Sequence, residues 1–181
     1  MAEFSRPLPL GRVGPEGRHL VLEASAGECE ALARRLGILG VEGLRVELDL
    51  RQAPAGAAVA RGRLSARVTQ ECVITLEPVG QAVEEEVALR LLPLGQEPAD
   101  GPEDMDEIAA GPGGVVDLGE AMAEQLALAL DPYPRAPGAS LPAEVTEAGE
   151  GSPDAAPEGA ATQETSGTPF AALAALRRPR G

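Results

Sequence analysis

From Leu44 to Arg51 the chain alternates without a slip. Leu44, Val46, Leu48 and Leu50 take one side, and Arg45, Glu47, Asp49 and Arg51 the other. Successive side chains of a β-strand point to opposite faces, so this pattern buries one face and wets the other. A slip of one residue would exchange them. Arg61 to Cys72 repeats the pattern, with Leu64, Ala66 and Val68 against Arg61, Arg63, Ser65, Arg67 and Thr69. Ala82 to Leu92 gives a third strand with Val83, Val87, Leu89 and Leu91 inward. A Pro/Gly/Ala turn at 52–58 separates the first two, and Pro78-Val79-Gly80 predicts the turn before the third. One-sided strands with short connections imply an antiparallel meander.

Helix signals flank these strands. Ser25 and Glu28 have the spacing of a capping box, and Gly37 suits the left-handed position that ends a helix. Between them Cys29, Leu32, Ala33 and Leu36 share one face, so Cys29 reads as a small core residue. His19 to Leu22 predicts a leading strand, with His19 at the surface or in a structural role. Asp117 and Glu120 predict a second reciprocal cap. From there Leu118, Ala121, Met122, Leu126 and Ala129 form an apolar stripe over 117–130, ending at Asp131-Pro132-Tyr133-Pro134. Thr168, Pro169, Phe170, Leu173 and Leu176, followed by Arg177, Arg178 and Arg180, predict a short amphipathic terminal helix with a basic end. The fold class expected is α+β: an antiparallel meander sheet, a capping helix after the N-terminal strands, a second helix near 117–130, acidic linkers and a short C-terminal helix.

Composition narrows the chemistry. The 181 residues include 29 acids, 15 bases and one histidine, for a net charge of −14. Every base is arginine, which removes P-loop, kinase-type and Schiff-base lysine sites. A single histidine removes the HExxH motif and histidine-rich metal sites. The excess acid is local. Residues 1–92 are nearly balanced, at 13 acids to 11 arginines, while 93–164 hold 16 acids and only Arg135. The stretches 93–114 and 139–167 are rich in proline, glycine, alanine and acid, a composition expected of a flexible loop and a disordered linker. The organisation expected is therefore a domain over 1–138 with a flexible acidic loop at 93–114, a linker at 139–167 and the helix at 168–181. The apolar runs are too short for a membrane span, and the first ten residues lack the apolar core of a signal peptide. A cytoplasmic location with reduced thiols is expected.

No catalytic, cofactor-binding or metal-binding constellation emerges. Cys72 has Thr75, not cysteine, three positions on, so no C-x-x-C half-site forms. Arg61, Arg63 and Arg67 share the solvent face with Arg45 and Arg51. They suit a patch for phosphates or an acidic partner, but the acids opposite favour the plainer reading of cross-strand charge pairing. Closing the 52–58 turn sets Asp49 near Arg61 and Glu47 near Arg63.

Three stretches in order carry a resemblance. Gly62 to Val79, including Cys72, Thr75, Leu76, Glu77 and Pro78, resembles the central strand segment of the bacterial YceD family. Asp117 to Arg135, with Leu118, Leu126, Leu130 and Pro134, resembles its segment of an acidic-Leu start, a helix and a proline stop. Thr168 to Leu176, with Pro169 and Phe170, resembles its Asn-Pro-Phe-x-x-Leu-x-x-Leu ending with basic residues. The resemblance implies a role in accumulation of the large-subunit ribosomal RNA, hence in ribosome biogenesis, and it points to the proteobacterial branch. Many members carry C-x-x-C at 72 and 75 and further cysteines near the end of the second helix. This chain keeps only Cys72.

The charge adds a constraint. Direct RNA binding leaves a basic footprint, because neutralising phosphates drives affinity. A chain at −14 with three aromatics is poorly suited to it. The expected role is non-enzymatic and runs through a basic ribosomal protein or large-subunit assembly factor, with Phe170, Leu173 and Leu176 as a docking face. Direct RNA contact through Arg61, Arg63 and Arg67 is the alternative, and a small-molecule enzyme a remote one. No membrane, DNA or cofactor is expected.

Overall fold

A computed structural model describes residues 3–96 and 105–140. The chain divides into two units, Met1–Ser140 and Leu141–Gly181; the second lies outside the described residues, and the fold is that of the first. The strands are β1 (Pro7–Pro9), β2 (Arg18–Glu23), β3 (Gly40–Gln52), β4 (Ala58–Glu71), β5 (Pro78–Leu92), β6 (Asp106–Ala109) and β7 (Val115–Asp117). The helices are α1 (Ala26–Leu36), between β2 and β3, and α2 (Leu118–Ala129), after β7.

β2 to β6 form one five-stranded sheet in chain order, antiparallel except that β6 runs parallel to β5; β1 and β7 pair separately. The alternating runs become the long central strands, and their apolar face is the core. Val46, Leu48, Ala60, Leu64, Leu89 and Leu91 are fully or almost fully buried. α1 packs on β3, and α2 on β1, β4 and β5. The opposite face of the sheet carries the charges and stays wet.

Gly62 leaves no room for a side chain beside β3: a Cβ there would lie 1.8 Å from the Glu47 carbonyl oxygen. Only a residue without a side chain fits.

Both helix starts are capped by side chains. The Ser25 side chain accepts from the Glu28 N–H, and the Glu28 carboxylate accepts from the Ser25 N–H at 2.8 Å. Gly37 closes α1 at φ 66° in the left-handed region, where glycine meets no steric penalty. Glu28 also takes both terminal nitrogens of Arg6, at 2.7 and 3.0 Å, which ties the N-terminal segment to α1. That Arg6 pair, followed by the Ser25 backbone bond, holds the Glu28 carboxyl down at about 2. At α2, Asp117 accepts from the N–H groups of Gly119 and Glu120, and also from Arg6 N at 2.7 Å.

Four expectations are corrected. The Asp117–Glu120 cap is not reciprocal, because Glu120 turns instead to Arg35 of α1 at 2.8 Å and joins the two helices. The turn before the third long strand lies at Val73–Thr75, while Pro78, Val79 and Gly80 already pair in β5 with Glu71, Gln70 and Thr69. Pro78 is tolerated there as the first residue of its strand. Cys72 follows β4 as the first residue of the connection to β5. Finally, the acidic loop expected at 93–114 contains β6. Its backbone pairs with Leu89–Leu92, and Glu107 is nearly buried against Arg90 at 3.0 Å. A partner distant in sequence neutralises one of the acids that made the segment read as loop.

Residues 97–104 of that loop, 141–167 of the expected linker and the expected helix at 168–181 lie outside the described residues.

Candidate functional site

Arg61, Arg63 and Arg67 stand exposed on the wet face of β4. The antiparallel register sets Arg61 opposite Asp49, and Arg63 opposite Glu47 on one side and Glu86 on the other. Arg63 is 4.0 Å from Glu84, and Arg45 pairs with both Glu23 and Glu47. His19, also exposed, meets Asp49 at 3.0 Å. Cross-strand ion pairs thus engage Arg45 and Arg63, while Arg61 has a carboxylate opposite it in the ladder and its guanidinium at 3.5 Å from Met105 Sδ. Such exposed pairs contribute little to stability, but each carboxylate cancels an arginine's attraction for phosphate.

Arg67 lies opposite Gly43 and Ala82, and lines an open depression with Glu23, Glu42, Arg45 and Glu84. Acids outnumber arginines three to two there, a balance unsuited to holding an anion.

The family-motif residues converge elsewhere. Cys72, fully buried, receives three backbone N–H groups on its sulfur: Ile74 and Thr75 at 3.4 Å each, and Ala136 at 3.3 Å. The Val73 N–H donates to Pro134 O at 2.9 Å, and Gln70 Nε2 donates to Asp131 O at 3.0 Å. The tip of the β4–β5 connection is thus fastened to the segment leaving α2, and a buried sulfur is the rivet. Leu118 and Leu126 are buried in α2, Leu130 is half-buried against the core, and Pro134 is buried beneath the turn. The Thr75 hydroxyl, then the N–H groups of Ala136, Thr75 and Ile74, favour the thiolate and bring Cys72 down to about 6. Cys29, by contrast, is pushed up by burial in the core.

Thr75, Leu76 and Glu77 complete the turn. The Leu76 N–H donates to Cys72 O at 3.0 Å, and the Cys72 N–H to Glu77 O at 2.8 Å. Leu76 is held at φ 62°, a conformation usual for glycine. Its side chain is 66% exposed, with Val73 and Tyr133 also out in solvent.

Sequence reasoning named Cys72 and the 131–135 segment separately and missed that they meet. The signal was present in the resemblance, which places cysteines of other members at 75 and near the end of the second helix. Those are the two stretches that here close on Cys72. Among the described residues no three His, Cys, Asp or Glu side chains stand together as metal ligands. Cys72 supplies one thiol, short of the ligand set a structural metal ion requires. Pro169, Phe170, Leu173 and Leu176 lie outside the described residues.

Fold and site define a small α+β body with a charge-balanced sheet face and a sulfur-pinned turn. No helix among the described residues is long and apolar enough to cross a membrane. A family model described as "Large ribosomal RNA subunit accumulation protein YceD" matches residues 60–177, and the chain belongs to that family. The family name implies a role in accumulation of the large-subunit ribosomal RNA. No curated protein and no solved structure matched the chain.

Proposed function

We propose that the protein is a non-enzymatic cytoplasmic factor in ribosome biogenesis. It supports accumulation or processing of large-subunit ribosomal RNA by engaging a basic ribosomal protein or large-subunit assembly factor, not by gripping the RNA. The observation that carries this reading is the placement of carboxylates opposite the arginine row. Arg61 and Arg63 face carboxylates across the ladder, in a chain whose net charge is −14. A surface so neutralised offers phosphates little, whereas the excess acid attracts cationic polypeptides over a Debye length. Phe170, Leu173 and Leu176 supply a further apolar docking face in this reading.

Deletion of the gene followed by ribosome sedimentation tests the role: a deficit of large subunits and of their RNA is expected, and a normal profile refutes it. Pull-down with the full chain at two salt concentrations tests the route. Basic large-subunit proteins should be retained at low salt and released at high salt. RNA held after the proteins are stripped away, and lost when Arg61, Arg63 and Arg67 become alanine, would transfer the function to the sheet face.

A further inference from the structure

The tip of the β4–β5 connection has features that the fold does not explain. Leu76 adopts a left-handed backbone, which costs a side-chain-bearing residue energy that glycine avoids. It does so while holding an apolar side chain mostly in water. Val73, in the same turn, is 48% exposed, and Tyr133, 69% exposed, is carried alongside by the Val73–Pro134 hydrogen bond. Strained backbone and exposed apolar side chains persist only where the surroundings over-determine them, and their concurrence marks binding surfaces. Here the surroundings are the N–H groups converging on Cys72 Sγ, together with the turn's own hydrogen bonds. The backbone of the turn is held at several points, which limits the ordering cost of binding. Exposed acids flank it: Glu71 and Glu77 on either side of the turn and Asp131 beside Tyr133, against one base, Arg135.

We propose that Val73, Leu76 and Tyr133 form a docking surface for a cationic amphipathic protein segment, its apolar face on these side chains and its arginines or lysines on Glu71, Glu77 and Asp131. This deepens the reading of a basic protein partner and rests on it. Charge complementarity chooses the occupant: exposed apolar side chains flanked by three carboxylates to one arginine disfavour nucleic acid and acidic peptides and favour a basic helix. An exposed tyrosine beside aliphatic residues is the composition of an interface centre.

The test uses the full-length chain and a labelled peptide with leucines on one helical face and arginines on the other. A scrambled peptide of the same composition serves as control, with binding read by fluorescence anisotropy. Leu76→Gly keeps the turn's backbone in a conformation glycine prefers, so it removes the side chain without threatening the fold. Combined with Tyr133→Ser it should weaken peptide binding roughly tenfold or more, with no fall in melting temperature. The scrambled peptide should bind the parent several-fold more weakly than the ordered one. Affinity of the double variant within about twofold of the parent, or equal binding of both peptides, overturns the proposal. So does a loss that instead follows Arg61, Arg63 and Arg67→Ala, or a patch that retains naked ribosomal RNA in place of peptide.

In cells, the double variant should fail to restore large-subunit RNA to a deletion strain. Full restoration by a variant that no longer binds the peptide severs the surface from the function. A deletion strain with normal large-subunit RNA refutes the biogenesis role alone and leaves the peptide result standing.

Discussion

Gly62→Ala measures how closely β3 and β4 are fitted. A Cβ at position 62 would lie 1.8 Å from the Glu47 carbonyl oxygen, 2.8 Å from its carbon and 3.0 Å from Leu48 Cα. Carbon and oxygen approach without repulsion only to about 3.3 Å, so the strands must part locally by about 1.5 Å. Ladder hydrogen bonds near 2.9 Å would stretch to about 4.4 Å and cease to act as bonds. Losing about two of them costs roughly 1–3 kcal/mol each, because the groups lie between paired strands with no water to replace the partner. Alanine recovers up to about 1 kcal/mol by restricting the unfolded chain. The net expected loss is about 3 kcal/mol, against a total of roughly 5–15 kcal/mol for a domain. Urea denaturation followed by circular dichroism should show a lower midpoint with an unchanged slope, and the melting temperature should drop by about 10 °C. Gly80→Ala is the control: a Cβ there meets open space, and its effect should stay within about 0.5 kcal/mol. A Gly62→Ala loss below about 1 kcal/mol would show that the strands yield more easily than this spacing allows.

Two further outcomes follow from the charged groups. Glu28 is held at about 2, well below its ordinary 4.5, so the stability it lends is fully present above pH 4.5 and is lost as pH falls through about 2. Glu28→Gln should cost about 1–2 kcal/mol at pH 7, for the cap and the Arg6 pair together, and the gap from the parent should close on acidification; a gap constant with pH would refute the assignment. Cys72, lowered to about 6 from 9.0, should develop thiolate absorbance with a midpoint near 6. Cys72→Ser should abolish that step and Thr75→Val should move it upward, while Cys29 contributes nothing in this range. The accompanying stability is greatest above pH 9 and is lost as pH falls through about 6. A first thiolate step near 9 in the parent would contradict the N–H cradle.

What the sequence determined by itself was local or periodic. The alternation at 44–51, 61–72 and 82–92 set which side chains are buried, because a strand's period of two leaves no freedom once one face is apolar. It also anticipated the ladder partners Glu47–Arg63 and Asp49–Arg61, since a short turn fixes the register. The Ser25–Glu28 box and Gly37 placed α1, because capping depends on neighbours within four residues. Tertiary structure decided whatever needed a partner far along the chain. β6 carries two acids in four residues and is a strand only because β5 offers an edge and Arg90 a counter-charge. Glu120 leaves its own helix start for Arg35, 85 residues away, because a charged donor outcompetes the local N–H. The meeting of Cys72 with Ala136, and of Val73 with Pro134, arises from the packing of α2 across the sheet, which no local pattern encodes. Hydrogen bonds between distant backbone groups leave no periodicity in a sequence, so the surface proposed for binding became visible only in the folded chain.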